Sequence, residues 1–170
     1  AIRAAQQGWD HPTIAAILRG EMTSWPNPGE LRFLPTQELI SARFNVLERQ
    51  GRTTEFLNLA QAVGDMSRYT QMLAQAGHAT DAVETGLTRL SRAMDAYTLA
   101  ATLYDQGKHA EALQVAEHGL TLEPPRATLA EWLRDTTRKH GQHDLALLAA
   151  ETAVYAAPNL RNYNILHELA

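Results

Sequence analysis

No cysteine occurs anywhere in the chain. That excludes disulfides and thiolate-ligated metals, and it fits a reducing compartment, so a cytoplasmic setting is expected. No apolar run approaches the roughly 20 residues needed to cross a bilayer, and no secretory leader pattern opens the chain. Strand signals are almost absent, because β-branched residues are dispersed and nothing alternates with period two for long. An excess of positive charge is lacking as well. The formal net charge is -4, and a weakly acidic surface repels phosphate backbones, which disfavours nucleic acid as a partner. Catalytic signatures are missing too. The sequence has no His-Glu-x-x-His, no glycine-rich phosphate loop and no serine in a nucleophile elbow. The chain is therefore read as a non-enzyme without cofactor. It begins at Ala1, without Met, in a helical pattern, and it ends at Ala170 in another. Both ends read as cuts, so a segment of a longer protein is expected.

What is present is a repeat. The phrase "helix end, Gly, short turn, helix start" recurs around Gly51, Gly77, Gly107 and Gly141, with steps of 26, 30 and 34 residues. Glycine takes the left-handed conformation that closes a helix C-terminus. Five residues beyond each glycine stands Phe56, Ala82, Ala112 or Ala146, and six beyond stands Leu57, Val83, Leu113 or Leu147. Leu90, Leu120 and Val154 follow at thirteen. Before the glycines come Tyr69 and Leu73, then Leu99 and Leu103, then Leu133. These offsets keep one face of each helix apolar.

The pattern predicts helices over 1–7, 12–20, 36–50, 54–64, 66–76, 81–90, 92–106, 109–122, 126–140, 143–157 and 159–170. Residues 21–35, which contain Trp25-Pro26-Asn27-Pro28-Gly29, read as an ordered loop. Thr53, Asp65, Thr80, Ser91 and Asn159 are the expected N-caps. The fold class is all-α, with stacked antiparallel hairpins. A hairpin cannot bury its apolar face alone, so neighbours stack into a solenoid. A single domain over 1–170 follows. Its parts are an irregular N-terminal stretch (1–35), shorter divergent hairpins (36–90), two regular hairpins (92–158) and a final helix (159–170).

The two regular hairpins resemble the tetratricopeptide repeat. The 34-residue step from Gly107 to Gly141 is that family's period. Its small residues fall on Ala112 and Ala146, then on Gly119 and Ala153, and its closing proline falls on Pro124 and Pro158. The resemblance implies a right-handed superhelix whose concave groove binds a peptide or partner domain, making the chain a protein-interaction scaffold. The family's groove positions lie ten, six and three residues before the inter-helix glycine. Carried over, they are Ser67, Gln71 and Ala74, then Tyr97, Ala101 and Tyr104, then Glu131, Asp135 and Arg138. The family's carboxylate-binding variants place Lys, Asn and Arg here; only Asn45 and Arg138 fit, so capture of a peptide C-terminus is not expected. The phrases at 55–77, 112–123 and 129–141 are also similar to the helical region following the zinc motif of bacterial SWIM zinc-finger proteins. That resemblance implies the alternative, an accessory helical domain of a nucleic-acid-associated protein, with the zinc motif itself absent here.

His140 and His143 flank Gly141 beside Asp144 and invite a metal. His109 and His143, however, share one offset from their glycines, where the tetratricopeptide pattern favours an aromatic packing residue. His-x-x-His across a helix break also lacks further ligands, so no metal site is expected. Arg126, Arg134, Arg138 and Lys139 are interleaved with Glu131 and Asp135, which reads as a solvated face laced with ion pairs. Trp9, Trp25 and Trp132 read as core or cap residues.

Overall fold

The fold was analysed in a computed structural model that describes residues 12–25 and 37–170. The expected helix at 1–7, Trp9 and most of the 21–35 loop lie outside the described residues. Ten α-helices are described: α1 (Pro12–Leu18), α2 (Gln37–Arg49), α3 (Thr53–Val63), α4 (Met66–Gln75), α5 (Ala79–Arg89), α6 (Ala93–Asp105), α7 (His109–Gly119), α8 (Ala127–Lys139), α9 (His143–Ala156) and α10 (Leu160–Leu169). Among the described residues there is no strand; one isolated parallel bridge joins Arg92 to Glu123. The fold is all-α. No described helix is long and apolar enough to cross a membrane.

The glycine phrase builds one turn four times. Gly51, Gly77, Gly107 and Gly141 have φ of 65°, 87°, 78° and 70°. After each, an amide reaches back five residues: Arg52 to Leu47, His78 to Leu73, Lys108 to Leu103 and Gln142 to Thr137, at 2.9, 2.9, 2.9 and 3.0 Å. This is the Schellman closure, which satisfies the last carbonyls of the ending helix. The next residue already belongs to the following helix. The carbonyls of Arg52, His78, Lys108 and Gln142 accept from Phe56, Ala82, Ala112 and Ala146. Gly64 makes a fifth such turn, with φ 74° and Asp65 donating to the Ala60 carbonyl at 2.9 Å.

Two of the five expected caps do the capping. Asp65 Oδ1 accepts from the Arg68 amide at 3.1 Å, and Asn159 accepts from the Asn162 amide at 2.9 Å. Thr53 and Thr80 fall inside helices, and Ser91 precedes the N-cap Arg92. The reason is geometric. The closure leaves one residue between Gly and the next helix, and that residue, not the threonine behind it, takes the N-cap position.

The chain divides into two compact units, 1–72 and 73–170, with the division inside α4. In the first unit α3 packs on α1 and α2. Its core holds Ile14, Ile17, Phe44, Leu47, Phe56, Leu59 and Met72. Trp25 packs against it as expected of a core residue, and its amide donates to the Ala62 carbonyl at 2.9 Å. The Phe44 and Phe56 rings lie 4.7 Å apart, with the Arg68 guanidinium 4.5 Å above Phe44.

In the second unit α6 packs on α7, α8 on α9, and α9 on α10; α6 also touches α8, and α5 touches α7. Connections of three residues between paired helices force antiparallel packing. The small positions sit where helices approach. Ala112, Ala146 and Ala153 are fully buried. A Cβ on Gly119 would stand 2.6 Å from Leu129 Cδ2 and 2.8 Å from Ala96 Cβ. The start of α6 is pinned by two bonds to the segment after α7: Glu123 N to Ser91 O at 2.8 Å and Ala93 N to Glu123 O at 2.9 Å.

Candidate functional site

Tyr97 and Tyr104 lie two turns apart on α6, and Ala101 lies between them; all three are half-buried. Both tyrosine rings stand edge-on to Trp132 of α8, with centroids 6.0 Å apart for Tyr97 and 5.7 Å for Tyr104. That near-perpendicular arrangement is the one aromatic quadrupoles favour. Trp132 takes this position because Leu129 and Leu133, on the neighbouring stripe of α8, are buried against the core. The tryptophan is left at the rim, half-buried.

The cluster continues to the end of the hairpins. The Tyr104 hydroxyl and His140 Nε2 are hydrogen-bonded at 2.8 Å, and the His109 ring lies tilted against Tyr104 with centroids 4.4 Å apart. The two imidazoles are 5.9 Å apart. His109 is an exposed residue that makes this ring contact from the first position of α7. His143 is the exposed first residue of α9. No group of three or more His, Asp or Glu that could hold a metal is found among the described residues.

Glu131, Asp135 and Arg138 follow a different course, because each is engaged with α10. Arg134 is fully buried; its Nη1 donates to Asn162 Oδ1 at 2.8 Å and its Nε to Asp135 Oδ1 at 2.7 Å. Asn162 Nδ2 donates to Glu131 Oε1 at 3.0 Å and to the Ala157 carbonyl at 3.0 Å. Arg138 Nη2 donates to Glu168 Oε2 at 2.9 Å. The expected solvated face of α8 is therefore partly an interhelical seam. Arg134, read from sequence as one member of a basic stripe, is its buried centre. The signal that could have found it was Leu129, Ala130, Leu133, Thr136 and Thr137, the other residues α8 buries. Arg134 falls among them on the helical wheel. Gln71 lies on α4 in the first unit and is half-buried.

Nine residues were expected to line a binding groove; Ser67, Gln71 and Ala74 lie on or beside the division within α4, Ala74 being fully buried. Two of them, Tyr97 and Tyr104, are gathered by Trp132 into one aromatic face, and three of them, Glu131, Asp135 and Arg138, into the α8–α10 seam. Trp132, His109 and His140 join the aromatic face although the repeat's groove offsets do not include them. The face offers rigid ring surface and polar ring edges. No family model, no curated protein and no solved structure matches this chain.

Proposed function

We propose that the second unit is a tetratricopeptide-like protein-interaction module that binds a peptide or a partner domain along the face of α6 and α8. The observation that carries this reading is the half-buried ring cluster of Tyr97, Tyr104 and Trp132, bridging two helices one repeat apart. Large aromatic side chains with few rotatable bonds supply contact area at low entropic cost, and they dominate binding energies at protein interfaces. The packing of α6 on α8, one 34-residue step apart, and of α5 on α7, one 30-residue step apart, supports stacking in a solenoid. Because Glu131, Asp135 and Arg138 are held by α10, the contact surface is narrowed to Tyr97, Ala101, Tyr104 and Trp132.

The test starts from a partner recovered by pull-down. Tyr97→Ala with Tyr104→Ala is compared with Gln114→Ala and Glu117→Ala, both exposed on α7. Loss of about 2 kcal/mol or more of binding is expected for the tyrosine pair, with little change for the α7 pair. Loss in the α7 pair alone would place the surface on the second helices and refute the groove. A binding constant that falls steeply with salt would instead favour the nucleic-acid-associated reading implied by the zinc-finger resemblance.

A further inference from the structure

We propose that the ligand of the α6–α8 face is a proline-rich segment in the polyproline II conformation. The inference rests on the reading of that face as a peptide-binding surface and names the class of ligand it takes.

The face is a row of rings. Two turns of helix separate Tyr97 from Tyr104 along α6, about 10.5 Å at about 1.5 Å per residue. Trp132 is 6.0 Å from the first ring and 5.7 Å from the second, at 77° and 85° to their planes. The indole therefore stands between the two phenols and crosswise to both, with a crevice on each side of it. Ala101, a single methyl, lies between the tyrosines on α6 and adds no bulk there. One turn of polyproline II is three residues, about 9.3 Å. A segment of little more than one turn runs the length of the row. Such segments dock in aromatic-lined grooves, and they are already extended before they bind, so little entropy is lost.

The hydrogen-bonding groups of the face point the same way. Among the described residues, neither the Tyr97 hydroxyl nor Trp132 Nε1 has a partner in the protein, and neither is sealed from solvent. Both are donors at the row. A polyproline II backbone carries carbonyls with no internal partner, and these two donors can satisfy them. A helical ligand has already used its carbonyls. It would cover both groups without satisfying either, at a cost for each.

Other modes of peptide capture lack their parts here. Strand addition needs a sheet edge, and there is no strand among the described residues. An acidic or phosphorylated segment needs an arginine cluster, but Arg134 is fully buried and Arg138 is held by Glu168. Proline donates no backbone N–H. The groove positions that could accept one, Glu131 and Asp135, are turned to Asn162 and Arg134.

The experiment is a calorimetric titration of the 170-residue chain with three end-blocked synthetic peptides: octaproline, an alanine-rich helix former and a glutamate-rich segment. Octaproline should bind at one site per chain, and the other two should not bind. Tyr97→Ala with Tyr104→Ala should weaken octaproline binding about thirtyfold. Tyr97→Phe, which keeps the ring and removes only the donor, should weaken it about fivefold. Gln114→Ala with Glu117→Ala should leave it unchanged. No binding of octaproline, or binding that the tyrosine variants leave intact, overturns the proposal. If the helical or acidic peptide binds instead, and the tyrosine pair abolishes that binding, the polyproline assignment fails and the interaction face stands. If a partner recovered by pull-down is lost only with the α7 pair, the face itself fails.

Discussion

Ala112, Ala146 and Gly119 show how much a single side chain decides in this fold. All three are buried where paired helices meet. Leucine at Ala112 or Ala146 adds three carbons to a packed contact, and each substitution should destabilise the chain by about 1–3 kcal/mol. Gly119→Ala should fall in the same range. Its new methyl would meet Ala96 Cβ at 2.8 Å, an atom that cannot swing aside as the end of Leu129 can. Thermal melts unchanged by all three substitutions would refute the packing assignment. Arg134 poses the opposite problem, a charge with no water around it. Asn162 supplies the acceptor for Nη1, and Nη2 is buried without a hydrogen-bond partner. Asn162→Leu should therefore cost about 2–3 kcal/mol, because it strands a second guanidinium nitrogen. If urea unfolding of that variant matches the parent chain, Asn162 does not support the buried cation.

Between α8 and α10 the interactions are not of equal weight. Arg138 and Glu168 are joined at 2.9 Å, but both side chains are about half exposed, 48% and 57%. A double-mutant cycle on this pair should give a coupling of under about 1 kcal/mol, and less at high salt. Coupling above that would mean the seam is held at its rim and not at Arg134. The helix boundaries teach a related lesson. The turns were legible because glycine is the residue that takes φ between 65° and 87° without strain. The helix break at Gly64 was expected, with Asp65 as cap, but Gly64 was not counted in the repeated phrase because no small residue follows it at the repeat offset; Tyr69 stands five residues on. The threonine caps were misplaced because capping preference is a local signal, and the Schellman closure overrides it.

At the scale of the molecule, the histidines offer a check on the whole reading. His140 is hydrogen-bonded to Tyr104 and His109 lies tilted against the same ring; His143 is apart at the start of α9. Elemental analysis of the purified chain should find no stoichiometric transition metal. About one zinc or nickel per chain, lost when His109 and His140 are changed, would overturn that. The expectation of one solenoid domain over 1–170 meets a chain that divides into two compact units within α4. The 26-residue step from Gly51 to Gly77 crosses that division, and the steps of 30 and 34 residues lie within the second unit. In the 26-residue step α3 and α4 have 11 and 10 residues and two residues between them, whereas in the 34-residue step α7 and α8 have 11 and 13 and seven between them, so the connection takes most of the shortening and the second helix the rest.

The sequence by itself determined the described helices, their order and their apolar faces. Each of these depends on residues within about four positions or on one glycine turn, interactions that periodicity records directly. It also determined that Ala112 and Ala146 are core. Only the tertiary structure decided which polar residues face solvent and which face another helix. Glu131, Asp135 and Arg138 meet partners on α10 some 30 residues away, and no local pattern encodes so distant a neighbour. The same holds for Trp132, which becomes part of the Tyr97–Tyr104 face only because α8 packs beside α6. Periodicity says which side of a helix is apolar, and packing says what that side and its rim will touch.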